Sequence, residues 1–124
     1  MFSQLLVIKR RREQRLRQQL LRGDRRQQEI QQNLKKLVAQ RDQLQQEWRQ
    51  IGLQGRGSLS RAAFASLQRQ LAGCHQQDRQ LADRCLTLQQ ESQRWLDARQ
   101  ALQEQIRRSS IEQEKLNYLV EHHT

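Results

Sequence analysis

"IGLQGRGSLS", residues 51–60, interrupts a chain that otherwise reads as helix. Three of the five glycines of the 124-residue chain sit here, and proline is absent throughout. Glycine weakens helices and permits the positive φ angles of a turn, while Ser58 or Ser60 can cap a new helix through its hydroxyl. A turn is therefore expected over about residues 52–58. What that turn connects is written in the flanks.

On its N-terminal side, steps of seven collect Leu16, Gly23, Ile30, Leu37, Leu44 and Ile51 on one ladder. A second ladder holds Leu6, Glu13, Leu20, Gln27, Leu34, Arg41 and Trp48. Together they give the alternating 4–3 spacing of a coiled-coil seam over about six heptads. The spacing resumes after the break. Leu67, Cys74, Leu81, Leu88, Trp95, Leu102, Ser109 and Leu116 form one ladder. Phe64, Leu71, Asp78, Cys85, Ser92, Arg99, Ile106, Gln113 and Val120 form the other. One helix is expected over about 3–51 and another over about 59–120, roughly 70 and 90 Å long at 1.5 Å per residue.

A short loop between two long helices favours antiparallel neighbours. The expected fold is all-α: a single long two-helix antiparallel coiled-coil hairpin over residues 1–124. A parallel homodimer of bent helices is the rival. A hairpin folded at about residue 55 makes facing positions sum to about 111. Trp48 then meets Phe64, Leu44 meets Leu67, Leu37 meets Cys74, Ile30 meets Leu81 and Leu16 meets Trp95. Glu13 meets Arg99, a charged layer able to fix register without necessarily adding stability. Arg41 and Asp78 find no partner in this register.

Composition agrees with helix and disfavours a globular core. Only 35% of residues are hydrophobic and 29% are charged, with glutamine filling much of the remainder. Leucine, glutamine and arginine are good helix formers, unlike the proline- and glycine-rich composition of disordered chains. No stretch approaches the roughly 20 apolar residues of a membrane span. "FSQLLVI" precedes its basic cluster, the reverse of a secretory signal, and ladders reaching back to Leu6 argue against a cleaved presequence. Cys74 and Cys85, eleven residues apart, would lie about 16 Å apart on one helix and cannot bridge there. They read as reduced core thiols of a cytosolic chain.

Catalytic chemistry finds no carrier. Cys74–His75 lacks a second ligand pair at zinc spacing, and His122–His123 reads as a frayed helix end. "GLQGRG" has neither the lysine nor the preceding strand of a phosphate-binding loop. The chain is expected to be no enzyme and to need no cofactor or metal.

The remaining signal is charge. The net charge is +10, and "KRRREQRLRQQLLRGDRR", residues 9–26, holds nine basic side chains against two acidic ones. A leucine-zipper DNA binder would place its seam after the basic run, and here the seam begins inside it. The aromatics fall on ladder positions, Tyr118 excepted, which leaves no stacking platform for single strands. Phosphate attraction remains as a non-specific property of charge. Basic residues crowd the free end of the first helix and thin towards the turn. Such a belt suits electrostatic docking to an acidic partner.

The opening "FSQLLVIKRRREQRLRQQL", residues 2–20, has an apolar start, Ile8-Lys9, a run of arginines, Glu13 and Leu16. In these features, and in length, hairpin organisation and missing proline, the chain resembles the FliJ/YscO-type coiled-coil stalk proteins of bacterial type III secretion and flagellar export. That resemblance implies a stalk whose termini-bearing end inserts into the hexameric export ATPase and promotes its assembly and turnover. The hairpin end would reach the export gate membrane protein, and secretion chaperones would be further partners. The implied ATPase-binding residues are Lys9, Arg10, Arg11, Arg12, Arg15 and Arg17, with Arg107, Arg108, Lys115 and Tyr118 on the adjoining turns. The implied protein is a cytoplasmic monomer, peripheral to the inner-membrane export apparatus, without specific nucleic acid or membrane insertion. The glutamine-rich outer faces depart from the family's pattern.

Overall fold

A computed structural model describes residues 1–55, 57 and 59–122. The chain is an all-α helical hairpin of two helices packed against each other, α1 over Phe2–Gln54 and α2 over Arg61–His122. Helix α1 runs on through Gly52 and closes with the Gly55 amide donating to the Gly52 carbonyl at 3.3 Å. Helix α2 opens on Ser60. Its hydroxyl accepts from the Ala63 amide at 3.1 Å and its carbonyl accepts from the Phe64 amide at 2.9 Å, an N-cap arrangement. Ser58, the other expected cap, lies outside the described residues.

The turn does not use glycine in the expected way. Among the described residues no glycine has a positive φ. Gly55 instead sits close to Leu67, whose Cδ2 would stand 2.8 Å from a Cβ there and would have to shift. Among the described residues, no helix is long and apolar enough to cross a membrane.

Contacts divide the hairpin into two compact units. The terminal unit comprises Met1–Glu29 and Ser92–Thr124, and the loop unit comprises Ile30–Glu91. Each shows the antiparallel arrangement independently. In the terminal unit Lys9 pairs with Glu112 and Asp24 with Arg99; in the loop unit Arg41 pairs with Asp78 and Gly55 approaches Leu67. Rising numbers on α1 meet falling numbers on α2.

The ladders identify the packed stripe. Leu6 and Ile106 are buried in the terminal unit, and Ile30, Leu37 and Cys85 in the loop unit. Burying a residue such as Ile30 contributes about 1.5–3 kcal/mol. The remaining expected seam residues are half-buried, with two exceptions. Trp48 is 50% exposed and Phe64 51% exposed. Both cysteines are free, Cys85 buried and Cys74 partly so.

The register differs from expectation. Arg41 Nε and Nη2 donate to the Asp78 carboxylate at 2.8 and 3.3 Å, and Gln27 Nε2 donates to Ser92 Oγ at 2.7 Å. Both pairs sum to 119, one heptad beyond the 112 of the expected Glu13–Arg99 layer. Glu13 instead pairs within its own helix with Arg17 at 3.5 Å, and Arg99 reaches Asp24. The slip matches polar seam residues with one another. The shift also explains Phe64, whose counterpart in this register is Gly55, beyond the end of α1 at Gln54.

Candidate protein-docking surface

In the terminal unit the seam takes Phe2, Leu6, Lys9, Glu13 and Leu16 out of full exposure, which leaves the intervening arginines at the surface. Lys9 holds a ladder position, and its ammonium crosses to the Glu112 carboxylate of α2. The hydrogen bond from Lys9 and then its charge hold the Glu112 carboxyl below the usual glutamate range, with Lys115 and Arg12 adding to the effect. Arg10 Nη2 donates to Asn117 Oδ1 at 3.5 Å, a marginal contact. Arg17 pairs with Glu13, four residues before it.

Arg11, Arg12 and Arg15 are exposed and make no ion pair among the described residues. On α2, Arg107 is exposed and Arg108 pairs with Glu104 at 3.4 Å. Lys115 is exposed. Tyr118 is 61% exposed and packs against the His122 ring at a centroid distance of 4.2 Å.

These residues share one unit, yet they do not form a uniformly positive ring. Residues 1–29 hold nine basic and three acidic side chains, whereas 92–124 hold five of each. The excess positive charge belongs to α1. Arg107, Arg108 and Lys115 sit in a segment whose acids balance them, so the strongest attraction for an anion centres on residues 10–17. Surface arginines at this density repel one another, and a partner carboxylate relieves that repulsion while giving charge-assisted hydrogen bonds.

A second constellation braces the same unit. A Cβ on Gly23 would fall 1.9 Å from Trp95 Cη2, so the absence of a side chain there makes the space for the indole. Trp95 Nε1 donates to Asp24 Oδ1 at 3.2 Å, and Arg99 Nε and Nη2 donate to the same carboxylate at 2.9 and 3.4 Å. The Arg99 bond chiefly lowers the Asp24 pKa; the Trp95 bond and the Arg99 charge add to this, against partial desolvation. Heptad counting misses Asp24 because it is off both ladders. Its one sequence signal is its place beside Gly23, the glycine in an otherwise helical ladder.

Among the described residues no group of three or more histidine, cysteine or carboxylate side chains could hold a metal ion. His123 lies outside the described residues. The surface therefore offers charge and hydrogen-bond donors for binding. The chain matches no family model, no curated protein and no solved structure.

Proposed function

We propose that the chain is the stalk of a type III secretion export ATPase, docking its basic terminal end on acidic groups of the hexamer and linking it to the export gate. The observation that carries this reading is the excess positive charge of α1 at residues 10–17, five arginines against Glu13, on a helix whose seam residues are committed to α2. The opening residues 2–20, which resemble those of FliJ/YscO-type stalks, name the partner.

The mechanism follows from weak, numerous contacts. Each exposed ion pair contributes only about 0–1 kcal/mol, so a stalk held by flexible arginines can exchange partners among six similar subunits. Long-range attraction supplies speed and orientation to the encounter. The helix pair supplies a scaffold that need not rearrange to bind. On this reading the chain itself is no enzyme. Secretion chaperones remain part of the proposal through the resemblance alone.

The test is the triple variant Arg10→Gln, Arg11→Gln, Arg12→Gln. All three side chains are exposed, and glutamine retains good helix propensity, so the melting temperature should stay within a few degrees of wild type. ATP hydrolysis by the export ATPase should rise with wild-type chain and much less with the variant, with slower and less salt-sensitive association. Full stimulation by the variant rejects the docking role. Tight binding of one defined oligonucleotide at physiological salt, without an ATPase effect, reassigns the charge to nucleic acid.

A further inference from the structure

The loop end of the loop unit carries a different surface. From Trp48 to Gln77 the sequence contains no aspartate or glutamate. Within that acid-free run Trp48, Leu53, Leu59 and Phe64 are each 40% exposed or more. They come from the last two turns of α1, the connection and the first turn of α2, which the hairpin brings to one end. Arg49 and Arg61 stand among them, exposed and with no ion pair among the described residues. Heptad spacing assigns Trp48 and Phe64 to the seam, yet packing leaves half of each outside it.

We propose that this end docks on an anionic lipid surface. Trp48, Leu53, Leu59 and Phe64 enter the headgroup layer, and Arg49 and Arg61 meet lipid phosphates. Large apolar side chains beside cations are the composition of a peripheral membrane contact, and the acids that flank the run are Glu47 and Asp78, the latter held by Arg41. Tryptophan and arginine both suit that depth, since each pairs an apolar body with a polar tip. Bases of a single-stranded nucleic acid could stack on Trp48 and Phe64 beside the two arginines, but Leu53 and Leu59 would be left in water. A rigid protein partner would need a matching hollow for side chains projecting from three separate segments. A fluid headgroup layer conforms to them. The inference does not depend on the identity of the ATPase.

The basic run on α1 will also attract anionic vesicles, so bulk co-sedimentation cannot decide the matter. Emission from Trp48 can. Full-length chain carrying Trp95→Phe, with helicity checked by circular dichroism, is mixed with phosphatidylglycerol–phosphatidylcholine vesicles bearing bromines on the acyl chains. The expected result is a blue shift and strong quenching of Trp48, absent with pure phosphatidylcholine. Arg49→Gln with Arg61→Gln should raise the lipid needed for half-maximal quenching by about twenty-fivefold, near fivefold per arginine. Leu53→Ser with Phe64→Ser should abolish the shift. Should Trp95→Phe unfold the chain, the loss of the quenchable signal in a Trp48→Phe variant reports the same contact. Trp48 unquenched in anionic vesicles, with the chain bound through α1 or unbound, overturns the proposal. So does a Trp48 shift produced by polyglutamate or an RNA oligonucleotide and not by vesicles.

Discussion

Trp95 and Trp48 both fall on seam ladders, one in the terminal unit and one in the loop unit, and they end differently. Trp95 sits against Gly23 and spends its indole N–H on Asp24, which Arg99 also holds. Trp48 borders a small cleft with Leu44, Gln45, Cys74, His75 and Asp78 and stays half exposed. A large aromatic enters a two-helix seam only where the facing helix gives up a side chain. Periodicity picks the face; the size of the opposite residue decides whether that face closes.

The hardest way to break the comparison is to damage the loop unit where it is best packed. Ile30 is fully buried, and Ile30→Ala should cost about 2–5 kcal/mol. Hydrogen exchange should show the greatest loss of amide protection within residues 30–91. Equal loss throughout the terminal unit would mean that the two behave as one cooperative body.

Next in size is Gly23→Ala, which puts a methyl where Trp95 now lies. Overpacking typically costs about 1–3 kcal/mol, against which alanine recovers about 1 kcal/mol of helix propensity. A net loss is expected, with Trp95 becoming nearly as open to acrylamide quenching as Trp48. An unchanged quenching profile would show that the glycine is not what admits the ring.

Gly73→Ala and Gly52→Ala sharpen the same point from the other side. Nothing lies within 4 Å of a Cβ at either position, and both residues are helical. Each substitution should stabilise by about 0.5–1 kcal/mol, seen as a rise in melting temperature. Destabilisation by either would contradict the open space described there.

The smallest effect is in acid. The Arg41 hydrogen bond chiefly lowers the Asp78 pKa, helped by the charges of Arg41 and His75, as Arg99 lowers that of Asp24. A carboxylate with a depressed folded value stabilises fully above the ordinary aspartate value of about 3.9 and loses that contribution as pH falls through the lower folded value. Arg41→Gln and Arg99→Gln should therefore each flatten the decline in melting temperature below about pH 4, modestly because the pairs are partly exposed. The Arg99 change should also loosen Trp95, which shares Asp24 with it, whereas Trp48 beside the Arg41 layer makes no hydrogen bond to Asp78 and should respond less. Identical fluorescence responses would erase the distinction between the two layers.

Much of the fold was legible in the residues, and the part that was not has a definite cause. Every expected seam residue is buried or half-buried except Trp48 and Phe64. Register failed by one heptad because an apolar 4–3 pattern looks the same after a slip of seven. What breaks that degeneracy is the matching of polar positions: Gln27 with Ser92 and Arg41 with Asp78. All four residues stand on the ladders, and Glu13–Arg99 is an opposite-charge pair that the same spacing allows one heptad away. The candidate surface was legible as a positive run, since seam spacing alone exposes Arg10, Arg11, Arg12 and Arg15. Its one-sidedness was written there too, in Glu104, Glu112 and Glu114 beside Arg107, Arg108 and Lys115; what packing adds is that Glu104 pairs with Arg108 and Glu112 with Lys9. Asp24 needed coordinates, being invisible to any count in sevens.

The Arg41–Asp78 layer also bears on what this chain does in the presence of copies of itself. In a parallel pair of identical helices every seam residue confronts its own duplicate. Arg41 would face Arg41 and Asp78 would face Asp78, so the charged layer becomes two repulsive ones, while Gln27 and Ser92, each able to donate and accept, discriminate less. Folding back on itself is the arrangement that turns those repulsions into bonds. Two chains that exchanged whole helices in antiparallel fashion would keep both layers and change only the connection at Gly55–Ser60. Self-recognition is thus biased by direction: in-register parallel pairing is penalised at the Arg41–Asp78 layer, whereas a swapped antiparallel pair would keep it, favoured as concentration rises.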